Sequence, residues 1–332
     1  MKQLIILLLL PFSLYGQMTI RGNMAQTTPS LNLNFMQGTM PTGLVYSRSG
    51  TATRVNASGL LETVSASVPR FDYDPVTLAL RGLLIEEART NLLLQSATLA
   101  TQNVAVTAQV YTLSFYGTGS VTRSGTSTGT LSGSGTNTRV TVSFTPTAGT
   151  LTLTVTGSVT SAQLEAGSFA TSYIPTTTVA ATRGADVLTM PTAGWYNTSE
   201  GTFLCRFTVD AAGVDIRPLT VNDGTNNNRM VIQRNSSNQL VAFGVSAGVN
   251  IGFSSVGVSG LTTGAMAGTI AYKVNDYRLA VNGTVLSSSA NTAPPPIVTT
   301  LTFNTSGGRF WHTRTTYWPT RRPNSYLQSI TN

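Results

Sequence analysis

The sequence predicts an all-β protein: an extended N-terminal arm followed by two β-sandwich domains of jelly-roll type. Three observations carry that expectation. Apolar residues alternate with Thr, Ser and Asn over short runs, as in Tyr111, Leu113 and Phe115 or Val140, Val142 and Phe144, which is the period-2 signature of a half-buried strand. Turn residues recur between those runs, supplied largely by the 31 glycines, and regular spacing of short strands and turns is the pattern of a sandwich. No long amphipathic helix, no heptad run and no repeat of solenoid period occurs in the 332 residues, so a coiled-coil stalk and a β-solenoid are both set aside.

Along the chain, residues 1–17 open with Lys2 and the apolar run LIILLLLPFSLYG. A basic start and a short apolar core fit a secretory signal peptide, and the run is too short to span a bilayer. Its small-residue cleavage rule is poorly met at Leu14, Tyr15 and Gly16, so a retained apolar anchor stays open beside it. Residues 18–66 are polar and sparse in apolar positions. Leu31, Leu33 and Phe35 alternate with asparagines, and Asn56-Ala57-Ser58-Gly59 reads as a turn before Leu60-Leu61. Short strands within an extended arm are expected there.

Residues 68–96, VPRFDYDPVTLALRGLLIEEARTNLLLQS, differ from everything after them. They hold seven charged side chains, Arg70, Asp72, Asp74, Arg81, Glu86, Glu87 and Arg89, in a chain that is 10% charged. Both signs are interspersed, which favours local ion pairs. Asp74-Pro75 marks a turn, and the runs Leu83-Leu84-Ile85 and Leu92-Leu93-Leu94 must be covered by something. The stretch reads as a structured junction rather than a flexible tether.

From residue 97 to 190 the pattern is strand throughout, and the Gly/Ser/Thr run at 124–138 lies between good strands as a hairpin rather than a linker. The turn cluster MPTAG at 190–194 suggests a domain boundary. Beyond it Phe203, Cys205, Phe207 and Val209 share one face of a strand. Asn235–Asn238 and Asn275-Asp276 read as hairpin turns, and Asn282-Gly283 is the strongest short hairpin signal in the chain.

These words resemble known proteins. LNLNFMQGTM, SRSGTATRVNASGLLETV, VPRFDYDPVT and RGLLIEEARTNLLLQS resemble a segment of phage virion structural and tail-fibre proteins. QLEAGSFATSYIPT at 163–176 is similar to the closing strands of a carbohydrate-binding-module-like jelly roll. YRLAVNGTV at 277–285 and the segment 310–331 are similar to the hairpin, closing strand and terminal helix of concanavalin-like and laminin-G-like domains. The resemblance implies a virion component such as a fibre, spike or decoration protein, exposed on the particle. It implies an attachment arm and junction over 18–96, a carbohydrate-binding-module-like sandwich over 97–190 and a concanavalin-like sandwich over 191–332. The implied partners are other capsid or tail proteins and host-surface polysaccharide. A purely structural cement protein and a polysaccharide depolymerase are the competing readings.

Composition narrows the chemistry. The formal charge is +8, yet the arginines are scattered and only Arg321-Arg322 are adjacent, so a nucleic-acid groove is not expected. One cysteine, Cys205, allows no intrachain disulfide, and one histidine, His312, excludes multi-histidine metal sites. No nucleophile elbow, P-loop or EF-hand pattern is present. The closest acid pairs, Asp72/Asp74 and Glu86/Glu87, sit among arginines, so ion pairing accounts for them better than glycoside hydrolysis. No catalytic residue, cofactor or metal is assigned. Sugar stacking points to Trp195, Tyr196, Tyr317 and Trp318, residues equally consistent with core or interface packing. Virion attachment and oligomerisation fall to Arg70, Asp72, Asp74, Arg81, Leu84, Glu86, Glu87, Arg89 and Leu93. A homotrimer is expected, because the apolar runs at 4–10, 83–85 and 92–94 look too exposed for one chain to cover.

Overall fold

A computed structural model describes residues 28–286 and 293–332, with side chains for all of these except 252–256 and 304–306. The apolar segment 1–17 and the run at 4–10 lie outside the described residues. Among the described residues the fold is all-β, with a single 3-10 turn at Phe35–Gln37 and one short α-helix at Asn324–Thr331.

Two antiparallel sheets make the larger sandwich. One runs, in order, through Thr284–Leu286, Arg278–Val281, Gly264–Lys273, Glu200–Val209, Arg309–Trp318, Leu80–Glu86 and Phe71–Tyr73, with Leu31–Asn34 also paired to Arg309–Trp318. The other runs through Val45–Ser47, Val187–Pro191, Thr300–Gly307, Asp215–Asn222, Arg229–Arg234, Leu240–Ser246 and Val249–Val258. Alternation dictates what lies between them. Phe203, Cys205, Phe207 and Val209 point inward from one strand and meet Ile216, Leu219, Val221, Met230 and Ile232 from the facing sheet. Each large apolar side chain buried in this way contributes about 2 kcal/mol.

Of the arm expected over 18–96, the strands Leu31–Asn34, Phe71–Tyr73 and Leu80–Glu86 are instead members of the large sheet. Leu31↔Tyr317 and Leu83↔His312 are register pairs on the same strand, so the early strands complete the sheet that the last strand begins. Leu31, Leu33 and Phe35 bury in the large core because that closing strand offers them a partner. The MPTAG turn is likewise no domain boundary, since the strand Val187–Pro191 that runs into it is a member of the seven-stranded sheet.

The second sandwich is inserted into the first. Its sheets are Gly129–Ser132, Ser120–Gly125, Gly149–Thr156 and Gln102–Val106 against Gly135–Phe144, Tyr111–Gly117 and Val159–Ala166. Its core holds Leu93, Leu113, Phe115, Val121, Leu151, Leu153 and Leu164. The chain leaves along Arg89–Asn91 and returns along Ala181–Arg183, and these two segments pair as a ribbon. The boundaries expected at 96/97 and 190/191 thus move to the two sides of that ribbon. Asn91 fixes the exit: its Nδ2 donates to Ala162 O and Ile174 O, and its Oδ1 accepts from Leu93 N and Leu164 N.

The run 83–85 and Leu93 are covered within one chain, while Leu94 is exposed. Leu83 and Ile85 face the large core, Leu84 is 2% exposed beside Trp311, and Leu93 is fully buried in the inserted core. The motive for a homotrimer built on Leu84 and Leu93 is thereby removed. The hairpin signals hold. Asn282 and Gly283 both have positive φ, 42° and 78°, as a tight type I′ turn requires.

Candidate functional site

Arg70, Asp72, Arg81 and Glu86 of residues 68–96 come together where the two sandwiches meet. Arg70 is fully buried. Its Nη1 donates to Glu86 Oε2 at 2.7 Å and its Nη2 to Asp186 Oδ2 at 2.5 Å. Arg48 Nη1 lies 3.3 Å from Asp186, and Arg183 lies 3.6 Å from Glu86. Burial alone would raise the Glu86 carboxyl, but the guanidiniums of Arg183, Arg70 and Arg309 and the Ser172 hydroxyl outweigh it and hold Glu86 well below the usual carboxylate range. The network also ties the inserted sandwich down. Ser172 N donates to Glu86 Oε1 at 2.8 Å, and Ser172 Oγ donates to Glu86 Oε2 at 2.6 Å. Arg70 Nη1 reaches Thr53 O, and Thr53 Oγ1 reaches Tyr173 O at 2.6 Å.

These ties shape a cleft. Its main lobe, of about 180 Å³, is lined by Arg54 and Val55 of the hairpin Ala52–Val55/Leu61–Val64, by Asp72, Arg81 and Trp311 of the large sandwich, and by Tyr116, Asn137 and Arg139 of the inserted one. A second lobe of about 160 Å³ adjoins it and shares Val55, Leu61, Pro75, Tyr116 and Asn137. Together the lobes lie at the lower end of the ~300–1,000 Å³ typical of small-molecule sites, which favour domain interfaces. No single unit supplies this cleft, and each wall has its own chemistry.

Asp72 and Trp311 form the floor. Asp72 Oδ1 accepts from Val55 N at 2.7 Å and Oδ2 from Trp311 Nε1 at 2.8 Å. Burial raises the Asp72 carboxyl, opposed by those two hydrogen bonds and the charge of Arg81. The Arg81 guanidinium sits over the Trp311 ring at 3.7 Å and that of Arg309 at 5.4 Å, cation–π contacts that hold the indole in place. Arg309 is also paired with Asp210. Gly82 allows Leu80–Glu86 to pack this closely: at φ +123°, a Cβ there would lie 2.6 Å from His312 O.

Arg139 on the inserted wall has no carboxylate within ion-pair distance among the described residues. Its Nη groups donate to Thr171 O at 2.5 Å and Ser114 Oγ at 2.8 Å, and its Nε has no partner. Burial lowers its pKa. Beside it Tyr116 is half-buried and Asn137 exposed. The cleft thus offers an aromatic ring, an amide and an unpaired guanidinium to an incoming polar ligand. Sequence reasoning missed Tyr116, Asn137 and Arg139, because they read as ordinary positions of alternating strands.

The other expected site residues divide. Asp74 is half-buried and caps its own turn, accepting from Val76 N and Thr77 N. Glu87 pairs with Arg89 at the ribbon. The aromatic residues assigned to sugar stacking are not available for it. Trp195 and Tyr317 are buried in the large core, where Tyr196 stacks with Phe203, Tyr272 and Tyr317. Trp318 is 5% exposed and packs edge-on against Tyr326. Tyr317 points from its strand into the sandwich, where the turn after Pro191 lays Trp195 and Tyr196 against it, and Trp318 points to the opposite face, which the helix Asn324–Thr331 covers. His312 is fully buried between Phe35 and Phe303, and Cys205 is buried in the same core. Among the described residues no group of three or more His, Cys, Asp or Glu side chains is arranged to hold a metal ion.

No protein-family model matches the chain, and no curated protein matches it. Solved structures with partial similarity include the Ruminococcus gnavus IT-sialidase CBM40 bound to α2,3 sialyllactose, at TM-score 0.35 and 11% identity over 41% of this chain and 84% of that one. The binding domain of botulinum neurotoxin DC in complex with rat synaptotagmin II gives TM-score 0.36 and 11% identity over 44% of this chain and 39% of that one. The NanB sialidase from Streptococcus pneumoniae gives TM-score 0.34 and 15% identity over 41% of this chain and 25% of that one.

Proposed function

We propose that this protein is a surface component of a bacteriophage particle, a fibre, spike or decoration protein, that binds a host-surface glycan in the cleft between its two sandwiches. One observation carries the glycan reading: Tyr116, Asn137 and Arg139 of the inserted sandwich open onto a cleft of mixed polar and apolar lining that the buried Arg70–Glu86–Ser172 contacts hold in shape. A ring for stacking, an amide and a guanidinium for hydroxyls, and a preorganised frame are what sugar recognition requires. The virion role rests on the resemblance of residues 31–96 to phage structural proteins.

Binding without cleavage is the reading the cleft favours. Glycoside hydrolysis in most families uses two carboxylates flanking the bond. Asp72 is the one carboxylate lining this cleft among the described residues, and both its oxygens are already engaged. Full-length protein on an array of bacterial capsular and surface polysaccharides tests the reading. Retention of a glycan by the wild type and its loss in Tyr116→Ala support it. Release of reducing sugar from the retained glycan would make the protein a depolymerase, and the absence of any retained glycan would leave a cement protein.

A further inference from the structure

We propose a second, separate binding site on the outer face of the seven-stranded sheet, where Arg217 and Arg229 take an anionic group of an acidic polysaccharide. The two arginines line one open cleft of about 430 Å³ together with Thr220, Asn222 and Asn226. Strand alternation places them there: Ile216, Leu219 and Val221 point into the core, and Arg217, Thr220 and Asn222 point away from it. Asn222 and Arg229 are register partners across the sheet.

This is a charged cleft without a counter-charge. Neither guanidinium has a carboxylate within ion-pair distance among the described residues. The acids nearest along the chain are engaged elsewhere. Asp215 Oδ1 accepts from Gln233 Nε2 at 3.1 Å and Ser236 N at 3.0 Å, and Asp223 is taken up by Thr225 and Asn228 inside its own turn. Arg229 is held in place, with Nη1 on Asn226 Oδ1 at 2.5 Å and its guanidinium 5.2 Å from the Phe243 ring centroid. The Nε atoms of Arg217 and Arg229 and the Oγ1 of Thr220 are shielded from solvent and have no hydrogen-bond partner among the described residues. Unmade hydrogen bonds at buried polar atoms are costly, and burial followed by the charge of Arg217 lowers the pKa of Arg229. An anionic oxygen between the two guanidiniums offsets the repulsion between them, since charge-assisted hydrogen bonds to guanidinium are strong and directional. The surrounding hydroxyl and amide groups suit a sugar ring that bears the anion. Two arginines on one face make too few phosphate contacts for a nucleic-acid groove.

Carboxylate and sulfate share this chemistry, so both are tested with the full chain. Titration calorimetry would use a polygalacturonate oligosaccharide, a sulfated oligosaccharide of the same length and a neutral control. The expected result is binding of at least one anionic oligosaccharide and not the neutral one, weakened several-fold between 50 and 300 mM salt. Arg217→Gln and Arg229→Gln should each weaken it by about tenfold, the size of one lost charge-assisted contact. Neither residue carries an ion pair, so the melting temperature of the double variant should hold or rise. Tyr116→Ala should leave this affinity unchanged, which separates the site from the cleft between the sandwiches. Equal affinity in the double variant, no binding of either anionic oligosaccharide, or preference for a single-stranded oligonucleotide overturns the proposal.

Discussion

Trp311 Nε1 donates to Asp72 Oδ2 at 2.8 Å, joining residues 239 positions apart in the chain. The contact exists because Leu80–Glu86 pairs with both Phe71–Tyr73 and Arg309–Trp318. The first and last thirds of the described chain therefore build one sheet, and the floor of the cleft is a product of that closure. The charged density of residues 68–96 serves the joint between two sandwiches rather than a tether.

Arg70 is the hub of that joint. Arg70→Met leaves Glu86 and Asp186 buried with their nearest guanidinium gone. Removing one member of a buried ion pair costs about 3–5 kcal/mol, and the expected result is a loss of that size in denaturant unfolding. A loss below about 1 kcal/mol would show that Arg48 and Arg183 suffice.

His312 makes stability depend on acid. Burial lowers its pKa from 6.5 to about 3. The folded state thus refuses a proton that the unfolded chain accepts below pH 6.5, so stability is full above 6.5 and declines as pH falls toward 3. At about 1.4 kcal/mol per pH unit, the wild type should lose roughly 2–3 kcal/mol more than His312→Leu between pH 6.5 and 4.5. Parallel stability–pH curves would place a proton on His312 in the folded protein.

Gly82 allows the close approach of Leu80–Glu86 to the closing strand. Gly82→Ala puts a Cβ 2.6 Å from His312 O at φ +123°, and strain of this kind costs about 1–3 kcal/mol. A fall in melting temperature together with altered tryptophan fluorescence is expected, because Arg81 over Trp311 shifts with the strand. Unchanged stability would mean that the backbone relaxes freely there.

Much of the fold was legible in the sequence. The alternation at Phe203–Val209 and the Asn282-Gly283 turn read correctly because each is a local pattern, and the resemblance over 310–331 pointed to the closing strand and terminal helix found there. The nesting of one sandwich inside the other was not. It depends on pairing Arg89–Asn91 with Ala181–Arg183 and Leu31–Asn34 with Arg309–Trp318, contacts with no local signature. The sugar-site aromatics failed for a related reason: a Trp or Tyr in a turn, as at 195–196, or at a strand end, as at 317–318, has the same sequence context whether it packs inward or faces solvent. Tyr116 and Arg139 gained their role only from what the insertion sets beside them.

Leu93 distinguishes a self-covered chain from an oligomer seam. It is fully buried in the inserted core, so Leu93→Asp should lower stability by more than about 3 kcal/mol by burying an unpaired charge. Mass photometry before unfolding should show the same particle mass as wild type. A folded variant of lower mass would restore the leucine-held trimer.

The most direct measurement is titration of full-length protein with a glycan retained on the polysaccharide array, comparing wild type with Tyr116→Ala, Asn137→Ala and Arg139→Gln. Saturable binding to the wild type, weakened about tenfold or more in the Tyr116 and Arg139 variants with melting temperatures within a few degrees of wild type, is the expected result. Undiminished affinity in all three variants would contradict recognition in the cleft between the sandwiches.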